Sequence, residues 1–90
     1  MQVQWDPKKA AINLRDHKVS FEEAATALED EFSLTGDDPD HSMDEARQIT
    51  FGVSRAGRLL IVSNTERGDS IRIISARRAT KPERRLYEEG

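Results

Sequence analysis

The 90 residues predict an α+β domain in which two N-terminal helices and a C-terminal helix pack on an antiparallel sheet. Three observations predict it. Two stretches with helical periodicity, each opened by a capping residue, fill the first third of the chain. Three strand-like stretches then follow in close succession, separated by the turn signals "SRAG" and "ERGDS". A second capping box, Thr80 with Glu83, opens a last helix after the final strand.

"QVQW" alternates and reads as a short first strand. Asp6 then caps a helix with Pro7 at its first position, where the missing N–H costs nothing. That helix runs to about His17 and places Ala10, Ala11 and Leu14 on one face. Ser20 and Glu23 form the capping box of a second helix, with Val19 as the staple and Phe21, Ala24, Ala25 and Leu28 as its buried stripe. "EFSLT" reads as a short strand, and "GDDPDHSMDE" as a polar, mobile connection. "RQITFGVS" alternates between Ile49, Phe51, Val53 and Gln48, Thr50, Gly52, Ser54. "RLLIVSN" is apolar on both faces and should lie centrally. "IRIISAR" is the last strand, and tight turns make the three an antiparallel meander. The helices should cover one face. The other, with the polar alternates from Gln48 to Ser54, should be free to bind.

Residues 1–90 form one domain by length. With no cysteine, neither a disulfide framework nor a thiolate zinc site is available. No apolar run approaches spanning length and no signal peptide is visible, so a cytoplasmic protein without membrane contact is expected. The net charge of −3 hides a split. Residues 1–45 carry four basic side chains against twelve acidic ones, and residues 46–90 carry ten against five. Nine of those ten are arginine, whose planar and always-charged fork suits phosphate. Such block asymmetry points to a polyanion partner on one side, or to two differently charged, merely solvated halves.

There is no Gly-rich phosphate loop, no nucleophile elbow and no histidine pair at metal spacing. His41 lies among Asp38, Asp40 and Asp44, but without the spacing of known sites, so no metal and no cofactor are expected. His17 is either a general base or a helix-end residue favoured by the macrodipole. Lys9, Asn13 and His17 recur every four residues on the border of the apolar face, lining a groove or simply facing solvent. Arg72 and Arg77 stand in or beside a strand of isoleucines, where burial is costly without a partner. On a regular strand they face opposite sides and need a bulge to share one. One of them is expected to be structural, bonded to Glu45 or Glu83, and the other to face a groove. Tyr87 reads as a core aromatic.

"WDPKKAAINLRDHKVSFEEA", "DEARQITFG" and "RIISARRATKPERRLYEEG", taken together and in this order, resemble the BrnT family. These are small ribonuclease toxins of type II toxin–antitoxin systems with a RelE-like fold. The resemblance implies a metal-independent endoribonuclease, a BrnA-like ribbon-helix-helix antitoxin as partner, and operator DNA contacted indirectly through that antitoxin. In-line attack of a ribose 2′-OH needs a base for its proton and a cation for the phosphorane. Under the resemblance Arg77 and Arg72 are the phosphate and transition-state groups, and His17 or Glu45 moves the proton. Lys9, Arg47, Arg58 and Arg67 contact RNA backbone. A ParE-like gyrase poison and a non-enzymatic co-repressor module are the competing readings.

Overall fold

The structure, a computed structural model, describes residues 2–38 and 46–89. Its order is β1 (Gln2–Gln4), α1 (Pro7–His17), α2 (Phe21–Leu28), β2 (Leu34–Asp37), β3 (Arg47–Val53), β4 (Leu59–Arg67), β5 (Ser70–Arg78) and α3 (Lys81–Glu89). The five strands form one sheet in the order β1-β5-β4-β3-β2. Strands β2 to β5 are an antiparallel meander, and β1 joins β5 in parallel. The doubly apolar β4 is the central strand, as its composition requires. Gly57 and Gly68 close its two flanking turns at positive φ, a conformation that glycine adopts without steric cost.

The helix starts follow from local chemistry. Asp6 accepts the Lys8 N–H at 2.9 Å, and Ser20 accepts the Glu23 N–H at 3.0 Å. At Thr80 both halves of the box form: its N–H donates to Glu83 at 2.9 Å and its hydroxyl accepts the Glu83 N–H at 3.3 Å. Helix α1 ends at Lys18, which takes the left-handed conformation with φ 59°.

Val19, Phe21, Ala24 and Ala27 pack on Leu60, Val62, Ile73 and Ala76 to form the core. Trp5 meets Phe21 edge to face, with ring centroids 6.0 Å apart. Two expectations about faces are corrected. Leu14 and Ala11 are exposed, and α1 instead buries Asn13. The polar alternates of β3 do not form an open surface: Thr50, Gly52 and Ser54 are buried, with Gly52 directly beneath α2. Gly52 is the reason. A Cβ there would lie 2.2 Å from the Ala27 carbonyl oxygen, so the missing side chain lets α2 settle onto this face. Thr50 is satisfied there by Thr35 at 2.9 Å and by Asn64 at 3.2 Å.

The three helices therefore do not share one side. Helices α1 and α2 cover the face of Thr50, Val62 and Ile73. Helix α3 lies over the other, where Leu86 and Tyr87 border a cavity with Ile49 and Phe51. Tyr87 is tied down through its hydroxyl, which donates to Asp30 at 2.9 Å. No helix among the described residues is long and apolar enough to cross a membrane.

Candidate nucleic-acid interface

Strand β5 organises the basic residues through one irregularity. Ser75 pairs with Ser63 and Ile73 pairs with Asn64, so Ile74 has no opposite number on β4. The extra residue is a β-bulge, and it shifts the side-chain alternation by one. Arg72 pairs with Thr65 and Arg77 with Ile61, four residues apart on β4. Both arginines consequently project from the same face, the one opposite α1 and α2. Arg47 also pairs with Thr65, from the β3 side. Arg47 and Arg72 thus flank Thr65, and Arg67 follows two residues along β4 on the same face. One end of this face carries three arginines, with the side chains of Ser63 and Ser75 further along it.

Arg77 lies toward the other end and is committed. Its guanidinium donates to both carboxylate oxygens of Glu83, each at 2.8 Å. A bidentate pair of this kind is the stronger form of charge-assisted contact. It holds the Glu83 carboxyl down to about 2, with added help from the Thr80 N–H and hydroxyl and against the cost of burial. Of the two alternatives, Arg77 is the arginine with the structural bond and Arg72 the one left facing outward. No ion pair among the described residues engages Arg72. Glu45 lies outside the described residues, as does His41.

Beyond β1 the free edge of β5 is covered by α1. Asn13 takes the place of a neighbouring strand there. Its Oδ1 accepts the Ala76 N–H at 3.0 Å and its Nδ2 donates to the Ala76 carbonyl at 2.8 Å. Nδ2 also donates to the Val19 carbonyl at 2.9 Å, so one buried amide joins α1, β5 and the start of α2. Beside this clamp a cavity of about 200 Å³ opens between α1 and β5. Lys9 and His17 line it together with Ser75 and Asp16. The four-residue recurrence of Lys9, Asn13 and His17 was visible in the sequence. The place of Ser75 beside them was not, because it depends on how β5 packs against α1.

Arg58 is elsewhere. It sits on the turn before β4 and grips Glu23 of α2 through Nε at 2.9 Å and through a second, close contact from Nη2. Nη2 also donates to the Lys18 carbonyl at 3.1 Å, fixing the left-handed end of α1. Hydrogen bonding from Arg58, then Ser54, lowers the Glu23 pKa against the cost of burial. This guanidinium serves the joint between β4 and the first two helices and does not join the arginines of the open face. Among the described residues no group of three His, Asp or Glu side chains is arranged to hold a metal ion.

A small α+β domain with an arginine-bearing sheet face and a histidine-lined groove at the sheet edge presents a cationic surface suited to a polyanion. Residues 5–83 match the family model described as ribonuclease toxin, BrnT, of type II toxin–antitoxin systems, and the chain belongs to that family. The family implies an antitoxin partner. The fold is shared with the Brucella abortus ribonuclease toxin BrnT, known from a 1.1 Å crystal structure. The TM-score is 0.70 at 19% identity, over 90% of this chain and 99% of that one. No curated protein matches the chain.

Proposed function

We propose that this ribonuclease toxin is a metal-independent endoribonuclease whose substrate is single-stranded RNA laid across the edge of β5. The observation that carries the reading is the bulge at Ile74, which turns Arg72 onto the face of Arg47, Arg67 and Ser75, while Ser75 lines one cavity with His17. In this reading His17 takes the proton from the ribose 2′-OH as that oxygen attacks the adjacent phosphorus. Histidine suits the task because its charge changes near neutral pH. Lys9 stands by the same groove as a cation for the phosphorane, and Arg72, Arg47 and Arg67 hold the flanking phosphates. The P–O5′ bond breaks and the departing 5′ oxygen takes a proton from solvent water, leaving a 2′,3′-cyclic phosphate on one product and a 5′-hydroxyl on the other. A flexible single strand can reach the in-line geometry that an A-form helix resists. Arg77, already neutralised by Glu83, is assigned to holding α3 rather than to the reacting phosphate.

The antitoxin in this reading is a BrnA-like ribbon-helix-helix protein that carries the toxin to operator DNA. The reading assigns the toxin to the cytoplasm.

The test is cleavage of an end-labelled single-stranded RNA by the purified protein in EDTA. Products bearing a cyclic phosphate are expected. His17→Ala should lower the rate roughly a hundredfold or more while the circular dichroism spectrum is unchanged. Full cleavage by a folded His17→Ala variant, or no growth arrest on expression of the wild type, would overturn the assignment.

A further inference from the structure

We infer that the groove between α3 and strands β2 and β3 is where the antitoxin docks, by adding an extended segment whose apolar side chains are flanked by lysine or arginine. The inference rests on the family membership, which supplies the antitoxin, and not on the assignment of the cleavage site. Two adjoining cavities of about 350 and 580 Å³ share Leu34 and Tyr87 as a common wall. Their apolar lining includes Phe32, Leu34 and Leu86, whose exposures are 77%, 45% and 66%. Apolar side chains clustered at this exposure mark an interaction surface more often than scattered single ones do.

The rim decides the chemistry of the occupant. Glu31, Asp37 and Glu88 line the two cavities and no lysine or arginine among the described residues does, Arg47 lining the next cavity along from Asp37. In a chain whose second half holds ten basic residues this is a marked exclusion. Such a rim repels a nucleic acid and attracts a basic segment of protein.

The edge of the sheet decides its conformation. Strand β2 is terminal in the sheet order, and all four of its residues are exposed. Its outer main-chain groups have no strand neighbour among the described residues, which is the arrangement that strand addition exploits. Leu34 pairs with Phe51 and Gly36 with Ile49, so both β2 residues face the groove. Alternate side chains of an added strand would fall beside Leu34 and over the open space at Gly36, where a Cβ would meet nothing within 4 Å.

The experiment co-expresses the toxin with its cognate antitoxin and compares amide hydrogen exchange in the complex and in the toxin alone. New protection is expected along Leu34–Asp37. Leu34→Asp and Leu86→Asp should each weaken the complex by roughly tenfold or more, as loss of an interface anchor does. Both side chains are exposed enough for the fold to tolerate the change. Glu31→Lys combined with Glu88→Lys should weaken the complex further and reduce its sensitivity to salt. Leu86→Asp should cleave RNA as the wild type does, so failure of the cleavage reading and failure of this one are separable. Unchanged affinity in both aspartate variants, or protection confined to the arginine face, overturns the inference. So does concentration-dependent self-association of the toxin that protects β2 without antitoxin.

Discussion

Asn13 holds Ala76 by both of its main-chain groups, accepting from the N–H at 3.0 Å and donating to the carbonyl at 2.8 Å. The amide has one acceptor and two donor hydrogens, and the second donor satisfies Val19 at 2.9 Å. Asn13→Ala leaves three buried main-chain groups without a partner and should destabilise the fold by about 3 kcal/mol. Asn13→Asp keeps the acceptor but turns an oxygen toward two carbonyls. Burial and those carbonyls raise the carboxyl pKa in the folded state, so this variant should regain stability as pH falls through that raised value. Urea unfolding of the three proteins at neutral and acid pH measures both effects. Equal stability of Asn13→Ala and wild type would show that the clamp is dispensable.

Gly52 decides which face of β3 lies under α2. Gly52→Ala places a methyl group 2.2 Å from the Ala27 carbonyl oxygen, and backbone cannot swing aside as a flexible side chain would. The expected loss is about 3 kcal/mol, at the upper end of overpacking costs. Thermal unfolding should show a correspondingly lower midpoint. An unchanged midpoint would mean that α2 can slide along the strand.

This position also explains what the sequence could and could not reveal. Caps, turns and alternation are local, so the eight elements and the central place of β4 were legible from "DP", "VSFEE", "SRAG" and the apolar run at Leu59–Val62. Alternation divides β3 into two faces but does not say which one is buried. The apolar set Ile49, Phe51 and Val53 was the natural choice, and the close approach at Gly52 overrides it. An amide amid charged neighbours, as at Asn13, looks like surface until the edge of β5 is brought to it. The odd spacing of Arg72 and Arg77 puts them on opposite sides of a regular strand, and only a bulge would let them share one. Nothing in "IRIISAR", which has no glycine, said that Ile74 would supply it.

The Arg77–Glu83 pair should appear in the acid limb of stability. Glu83 has its pKa lowered from 4.5 to about 2, chiefly by its hydrogen bonds to Arg77. A depressed carboxylate contributes stability above its unfolded pKa and loses it as pH falls toward the folded value. The window is therefore pH 4.5 down to about 2. With the Arg77 side chain 43% exposed, solvent screening limits the contribution to about 1 kcal/mol. Glu83→Gln should be less stable than wild type by that amount at neutral pH, and the two should converge near the acid end. Denaturant titrations across the range check it. A constant difference at every pH would assign the effect to the helix cap and not to the ion pair.

Arg58 and Arg72 should separate folding from RNA binding. Arg58 anchors Glu23 and the Lys18 carbonyl, so Arg58→Ala removes charge-assisted bonds from a half-buried carboxylate and should cost about 2 kcal/mol of stability. Its affinity for single-stranded RNA, measured below the unfolding transition, should stay within about twofold, since no phosphate contact is assigned to it. Arg72→Ala should behave in the opposite way: a near-normal unfolding midpoint with weaker RNA binding. If Arg72 neutralises one phosphate, the slope of log affinity against log salt should become shallower by about 0.7 for a single strand. The His17→Ala protein, in which cleavage is expected to be slow, is the background for both titrations, so that cleavage does not distort them. An unaltered salt slope in Arg72→Ala would remove this residue from the RNA face, and a shallower slope in Arg58→Ala would return that guanidinium to it.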